Sequence, residues 1–431
     1  METALKTDTL KDRLVSEFQT SKHSLFGNLN LREDAMSSFM NVGIPNRKSE
    51  EYKYVNMDIT LKGEFVFVTN KTLSCDDIKY SKFLKDSIDI VIENGIFIEG
   101  LSSIQSLPKG VRIINIAEAT TDSCFEKEYE KYADIKTDAF VALNTALAKG
   151  GVFIHIAAGV INDAPIRIMN ISTADERLFT NSRNLIVIEP NAQVRFVESF
   201  ETIACSALTF TNALTELVVS ENAAVDYTKI EDGKENGCLI STTQVYQKKQ
   251  SVFTTNSITL SGSLVRNNLN IVLDDEHIET HLNGLYLTNG HQVVDNHTLV
   301  DHRKPNCNSN ELYKGIIEDK STATFNGKIF VRKDAQKTNA FQSNKNILLS
   351  DDGTINTKPQ LEIYADDVKC SHGTSTGKLD AEKIFYLQAR GLSETTAKKL
   401  LMHAFASEVV DTLKIEELRD WVEEKISMRF E

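Results

Sequence analysis

A long central region of short, β-branched runs separated by polar corners restricts the fold of this chain more than any other feature. From about residue 152 to residue 369, long helical patterns are absent and the runs alternate with Asn, Asp and Gly. Segment 187–196 (VIEPNAQVRF) resembles segment 218–227 (VVSENAAVDY), which lies 31 residues further along the chain. Units of this kind cannot each bury an apolar face alone, so they must stack on their neighbours.

Stacked units of this length predict a mainly β fold built on a right-handed parallel β-helix. A β-sandwich is the alternative, but it would more often show tight two-residue hairpin turns, which are sparse in this region. We therefore expect three parts: an N-terminal helical and mixed α/β region over residues 1–135, a β-helix core over 136–380 and a C-terminal helical region over 381–431.

The two flanks carry helical and hairpin signals. Leu10, Leu14 and Phe18 recur at helical spacing near the N-terminus, and Asn94-Gly95 separates two strand-like runs as a hairpin turn would. Near the C-terminus, Ser393 is placed to cap a helix. The apolar stripe predicted for that helix comprises Ala397, Leu400, Leu401, Ala404, Phe405, Val409 and Leu413.

Composition excludes some classes of function. The chain has 48 Lys and Arg against 61 Asp and Glu, a formal net charge of −13, which argues against nucleic acid as a partner. The six cysteines are scattered, residues 1–8 contain no apolar signal core, and no stretch reaches the length of a membrane span. We therefore expect reduced thiols, a cytoplasmic location and no membrane association.

Cys370 and His372 are the candidate metal ligands. They are separated by one residue near the end of a predicted strand, so their side chains should share one face. A thiol and an imidazole can bind iron or another thiophilic metal, but two ligands cannot close a cluster site, and another chain would have to supply the rest. The alternative is structural: Cys370 fills apolar space and His372 is simply hydrogen-bonded.

Two other polar clusters allow different interpretations. Segment 289–302 contains three histidines and two aspartates, which could bind a metal, although a polar ladder along the β-helix is the favoured interpretation. The group Asp274, Asp275 and Glu276 could supply a general acid and base, so a polysaccharide-acting β-helix enzyme is the alternative function. No common nucleotide-binding motif is present, so any ATP site would belong to a partner.

Several further segments carry a family resemblance. They are 138–148 (DAFVALNTALA), 295–297 (DNH), 311–315 (ELYKG), 325–328 (FNGK), 334–338 (DAQKT), 342–344 (QSN) and the block from 357 to 391. Together they resemble the SufB/SufD family of iron–sulfur cluster assembly proteins over roughly residues 40 to 415. The SufD branch is the closer, because segment 352–357 lacks the cysteine of SufB-like chains and Ser371-His372-Gly373 has the SufD-like form.

The resemblance implies a non-catalytic scaffold in a complex of one SufB, one SufD and two SufC ATPases. His372, with Cys370 beside it, would lie at the contact with SufB, where iron or a nascent cluster is held transiently and no cofactor binds stably to the chain alone. A homodimer is the alternative assembly for the isolated chain. The residues that would dock the ATPase are Leu400, Leu401, Ala404 and Phe405.

Overall fold

The structure is a computed structural model that describes residues 9–67, 72–79, 83–203 and 205–429. Its helices are α1 (Leu10–Ser21), α2 (Leu29–Val42), α3 (Met57–Thr60), α4 (Cys75–Lys79), α5 (Ser123–Glu128), α6 (Ala139–Leu147), α7 (Ala381–Ala389), α8 (Glu394–Val410) and α9 (Glu416–Arg429). Its first strands are β1 (Ile88–Glu93), β2 (Ile96–Phe97), β3 (Val111–Asn115), β4 (Val152–Ile156), β5 (Ile166–Ser172), β6 (Leu178–Ile188), β7 (Gln193–Thr202), β8 (Thr209–Val219), β9 (Ala224–Asp232) and β10 (Gly237–Gln247). The remaining strands are β11 (Val252–Ser261), β12 (Leu264–Leu273), β13 (Glu279–Thr288), β14 (Val293–His302), β15 (Asn308–Ile317), β16 (Thr322–Val331), β17 (Thr338–Leu348), β18 (Thr354–Ile363) and β19 (Val368–Gly377).

The strands form two long sheets that alternate along the chain. One, here the odd sheet, has the order β19-β17-β15-β13-β11-β9-β7-β5-β1-β2; the other, the even sheet, has the order β18-β16-β14-β12-β10-β8-β6-β4-β3. Each turn of chain adds one strand to each sheet, and from β5 onward every pairing is parallel. The predicted mainly β fold with a parallel β-helix at its centre is confirmed.

The repeat seen in the sequence corresponds to one turn of the β-helix. Asn191 and Asn222 both adopt left-handed backbone conformations, with φ of 61° and 55°. Asparagine tolerates this conformation better than most residues. The two corners stack directly, since Asn222 Nδ2 donates a hydrogen bond to Asn191 Oδ1 at 2.8 Å. The polar corners are therefore part of the stacking that sets the register.

The core lies between the two sheets. Aromatic side chains of successive odd strands stack there: the Phe196 and Tyr227 ring centroids are 6.3 Å apart, and those of Tyr227 and Phe253 are 6.4 Å apart. All three side chains are buried. Each turn thus buries its apolar face only through its neighbours, which is why the units cannot fold singly.

The N-terminal helices cover the even sheet. Apolar side chains of α1, α2 and α6 pack in one cluster with Phe179 and Phe210 of strands β6 and β8. Asn144 of α6 fixes this docking, because its Nδ2 donates to the carbonyl oxygens of Ser182 at 2.8 Å and Asn212 at 2.9 Å. The Asn144 amide thus links α6 to two adjacent strands, β6 and β8, and its own buried N–H donors have partners.

Strands β1 to β3 extend the sheets beyond the predicted core. The predicted hairpin is confirmed: β1 and β2 are antiparallel and joined by Asn94 and Gly95, with φ of 52° and 83°. Strand β1 also pairs in parallel with β5, and β3 pairs antiparallel with β4. Residues 88–115, which we assigned to the N-terminal region, therefore belong structurally to the two sheets.

The C-terminal helices cover the odd sheet, with α8 packed against β13 and β15. The predicted cap is confirmed, since Ser393 Oγ accepts a hydrogen bond from the Thr396 backbone N–H at 3.1 Å. The predicted stripe is partly wrong, because Leu400 is 51% exposed whereas Met402 and Ala406 are buried. Helical periodicity is compatible with two adjacent apolar rows in α8, one that includes Leu400 and one that includes Met402 and Ala406. Packing against the strands of the odd sheet determines which of the two rows is buried. Within the described residues, no helix combines the length and hydropathy needed to cross a bilayer.

Candidate functional site

Strands β18 and β19 form one end of the β-helix, here called the open end. Within the described part of the chain, each pairs with a strand on one side only, β18 with β16 and β19 with β17. Residues of β18 are mostly half-buried, and all residues of β19 from Ser371 onward are exposed. The outer edges of these strands therefore present backbone N–H and C=O groups that can pair with another chain.

His372 lies at the end of a buried polar column inside the β-helix. The register pairs His372 with Gln342, and Gln342 with Glu311. Gln342 Nε2 donates to Glu311 Oε2 at 2.7 Å, and the Thr298 hydroxyl donates to Glu311 Oε1 at 2.6 Å. Gln342 and Glu311 are 3% and 5% exposed, whereas His372 is exposed because no further turn covers it. The imidazole is thus available at the open end.

Cys370 lies in the same strand, two residues before His372, in register with Ala340. Its half-buried side chain packs against an apolar cluster of Ile329, Val331, Ala335, Ala340 and Ala365. Burial raises the pKa of the Cys370 thiol, so the thiolate form is scarce in the isolated chain at neutral pH. Cys370 therefore already serves as a packing residue, and a ligand role requires that its environment change.

A shallow depression of about 390 Å³ lies beside His372 and is lined in part by Asn310, Phe341 and Gly373. Phe341 is 44% exposed there. In the part of the chain that the structure describes, no further His, Cys, Asp or Glu completes a three-ligand group with Cys370 and His372. The chain on its own thus supplies only part of a metal-binding set at this end.

The predicted ATPase-docking residues differ in accessibility. Leu400 and Ala404 are exposed, whereas Leu401 and Phe405 are half-buried. Phe405 is held against the odd sheet by Lys314, whose ammonium lies 4.4 Å from the ring centroid and donates to the Phe405 carbonyl at 2.7 Å. Phe405 therefore anchors α8, and Leu400 and Ala404 are the residues free to contact another protein.

Helix α7 adds an exposed apolar surface that we did not predict. Phe385 is 72% exposed and Tyr386 is 58% exposed, and no residue of this helix is buried. The sequence signal for this surface was the pair of adjacent aromatic residues, and the structure shows that their helix has no buried face. Exposed aromatic side chains of this kind are typical of protein–protein contacts.

Two of the three histidines of segment 289–302, His297 and His302, have polar partners within the fold, in agreement with the favoured interpretation. His297 lies between two carboxylates, with Nε2 2.9 Å from Asp295 and Nδ1 3.2 Å from Glu51. His302 is fully buried, with Nε2 2.9 Å from the Ser309 hydroxyl, and burial lowers the pKa of its imidazole to about 4. Both imidazoles therefore already have partners within the fold.

The acidic group of the alternative enzyme function lies in the corner between β12 and β13. Asp274 accepts hydrogen bonds from the Tyr246 hydroxyl and from Arg303 Nη1, the latter at 3.3 Å. Asp275 Oδ1 accepts one from the Glu276 backbone N–H at 2.8 Å. These contacts stabilise the corner itself. Asp274 and Asp275 are therefore hydrogen-bonded within it and are not a pair of free carboxyl groups.

Comparison with known proteins identifies the family. Residues 170–405 match the family described as "SUF system FeS cluster assembly, SufBD core domain", and residues 16–168 match the "SufBD protein N-terminal region". The chain therefore belongs to the SufBD family of iron–sulfur cluster assembly proteins, and the predicted membership is confirmed.

Individual relatives match over almost their whole length. An iron–sulfur cluster assembly SufBD family protein of Synechocystis is 30% identical, over 93% of this chain and 91% of its own. The iron–sulfur cluster assembly protein SufD of Escherichia coli is 29% identical, over 91% of each chain. The SufD protein of Bacillus subtilis is 24% identical, over 90% of each. The chain is thus a SufBD-family protein related to SufD.

Proposed function

We propose that this chain is the SufD-type, non-catalytic scaffold subunit of a cytoplasmic SUF assembly complex. Its open end pairs with a SufB-like paralogue, and its C-terminal helices bind a SufC-like ABC ATPase. Iron or a nascent cluster is held transiently between the two paralogues, with His372 as one ligand and Cys370 beside it. The observation that carries this proposal is that His372 is exposed where the outer edges of β18 and β19 have no neighbouring strand among the described residues.

The open end supports pairing with a chain of the same architecture. A paralogous β-helix has its own edge strands, and edge-to-edge pairing would satisfy the backbone groups of both chains. Phe341 and the depression beside it add side-chain area to such a contact. Because the isolated chain has the same edges, a homodimer in the absence of the paralogue follows from the same physics.

The incomplete ligand set supports a site shared between chains. An imidazole can bind iron, while thiolate and carboxylate groups from the partner complete the coordination. Pairing would also cover β19 and exclude water around Cys370 and His372. The metal or cluster is then cargo of the complex, and it is released when the two paralogues separate.

Co-assembly tests the docking of the ATPase. We expect Leu400→Asp to weaken binding of a SufC-like ATPase by about tenfold or more, because it places a charge at an apolar contact, and to leave pairing with the SufB-like paralogue intact. The matched control is Ile59→Asp on α3, where the side chain is 69% exposed on a different face. Co-purification and titration of the ATPase measure both. Equal binding by the two variants would move the docking surface away from α8.

Substitution of His372 tests the shared site. We expect His372→Ala to fold and assemble normally, but to lose most of the iron and cluster absorbance of the reconstituted complex, because one ligand is removed. His291→Ala, at an exposed turn histidine, is the control. Iron content and the visible absorption spectrum are measured for each complex. A His372→Ala complex with parental iron content and spectrum would contradict the ligand role.

A further inference from the structure

Three side chains with metal-ligating atoms converge near the start of the β-helix, far from His372 in the order of strands. They are Cys124 in α5, His155 in β4 and Glu189, which follows β6. One ligand atom from each lies within 4.8 Å of the other two. Strand β4 is next to last in the even sheet at the end opposite β18, so this group is separate from the open end.

The distances within the group are close to those of a bound metal. Cys124 Sγ is 4.0 Å from Glu189 Oε1, and His155 Nε2 is 3.5 Å from the same oxygen. In a tetrahedral site with sulfur, nitrogen and oxygen ligands, such atoms lie roughly 3.3–3.6 Å apart. Small side-chain rotations therefore suffice to bring all three onto one ion.

The surroundings leave the group accessible without exposing it fully. The side chain of His155 is 15% exposed and that of Glu189 is 35% exposed, so an ion could enter from solvent. Each ligand lies in a different part of the fold. Helix α5, which carries Cys124, is capped by Asp122, whose Oδ1 accepts a hydrogen bond from the Cys124 backbone N–H at 2.9 Å. Strands β4 and β6 are adjacent and pair His155 with Val187, two residues before Glu189.

We propose that Cys124, His155 and Glu189 form a mononuclear site for a borderline divalent transition metal ion, Zn²⁺ or Fe²⁺, with water in the fourth position. A thiolate, an imidazole and a carboxylate are ligand types that such ions accept together. The thiolate and carboxylate neutralise the two positive charges. Binding releases the thiol proton of Cys124 to solvent, and no electron transfer is involved.

Arg112 is the neighbouring group that must adapt. Its Nε lies 3.4 Å from His155 Nδ1, and its Nη1 donates to Asp122 Oδ2 at 2.5 Å. When His155 Nε2 binds a metal, Nδ1 carries the ring proton, so the Arg112 Nε–H can no longer donate to it. The Arg112 side chain is 46% exposed and keeps its ion pair with Asp122, so a rotation towards solvent is sterically open.

Cobalt binding tests the site in the full-length protein. All measurements use a Cys370→Ser background, so that the thiol at the open end cannot contribute. We expect Co²⁺ to produce thiolate-to-metal charge-transfer absorption in the near ultraviolet, and Zn²⁺ to abolish it by competition. Adding Cys124→Ser should remove the band, and Glu189→Gln should weaken Co²⁺ binding by about tenfold or more.

The matched control is Cys75→Ser, since Cys75 is an exposed cysteine on α4. This variant should keep the full band. Zn²⁺ should also raise the melting temperature of the parent and of Cys75→Ser, because an ion that binds the folded protein stabilises it. It should not raise the melting temperature of Cys124→Ser, in which the site has lost its thiolate. No band in the parent, or an unchanged band in Cys124→Ser, would overturn the proposal. Neither result bears on His372, whose role is tested separately by the iron content of the complex.

Discussion

Glu216→Ala is expected to lower the free energy of unfolding by about 3–5 kcal/mol, because it leaves a buried guanidinium without its counter-ion. Glu216 and Arg183 are 0% and 1% exposed, and their Oε2 and Nη2 atoms are 2.6 Å apart. Glu216 Oε1 also accepts the backbone N–H groups of Tyr132 at 3.0 Å and Ala133 at 3.1 Å. One substitution therefore removes the partner of one buried donor and of two part-buried donors.

Urea unfolding measures this effect. The control is Glu221→Ala, an exposed residue in the corner that follows β8, which should change the free energy by no more than about 0.5 kcal/mol. The paired variant Arg183→Met with Glu216→Leu should be less destabilised than Glu216→Ala, because it removes both charges of the ion pair together. A paired variant that unfolds as readily as Glu216→Ala would show that the unpaired charge is not the cause.

Glu311→Gln is expected to stabilise the protein in alkaline solution by about 3 kcal/mol. Burial raises the pKa of Glu311 from an ordinary value of 4.5 to about 7, while hydrogen bonds from Thr298 and Gln342 lower it only in part. The described contacts include no cation paired with this carboxylate. A change of that size in pKa corresponds to about 3 kcal/mol between the two protonation states.

The sign of the pH dependence follows from the raised pKa. Between pH 4.5 and about 7, folded Glu311 keeps a proton that the unfolded chain releases, so its contribution to stability is present below this window and is lost as the pH rises through it. Glutamine resembles the protonated acid and does not titrate. The difference between variant and parent should therefore grow from about pH 5 to about pH 8 and then level off.

Urea unfolding at a series of pH values measures this difference, and Glu221→Gln, at an exposed corner, is the matched control. Glu231, whose pKa burial also raises to about 7, is present in both proteins and cancels in the comparison. A difference that is flat from pH 5 to 8 would mean that Glu311 is ionised in the folded protein at neutral pH.

Local patterns in the sequence predicted those features that depend on neighbouring residues. The Asn94-Gly95 hairpin, the Ser393 cap and the repeated corners at Asn191 and Asn222 are set by backbone preferences within a few residues, and the structure confirms each. The parallel β-helix followed from the repetition of such units. Cys370 and His372 could be placed on one face because a strand alternates its side chains.

Specific side-chain pairs between turns could not be predicted. The Arg183–Glu216 pair joins residues 33 positions apart, and only the register of β6 and β8 brings them together. The convergence of Cys124 with His155 likewise depends on where α5 docks. The buried row of α8 was misassigned for the same reason, since the strands beneath decide which apolar residues are covered.

The two sheets of the β-helix end at the same place, and this has a consequence for any chain that docks there. Such a chain meets the edges of β18 and β19 together, so the contact is bivalent. Once one edge is engaged, the other lies at high effective concentration, and binding exceeds what either edge achieves alone. The bound chain then dissociates only when both edges are released together. Its residence time is therefore more sensitive to the fit at β18 and β19 than that of a chain bound at one edge.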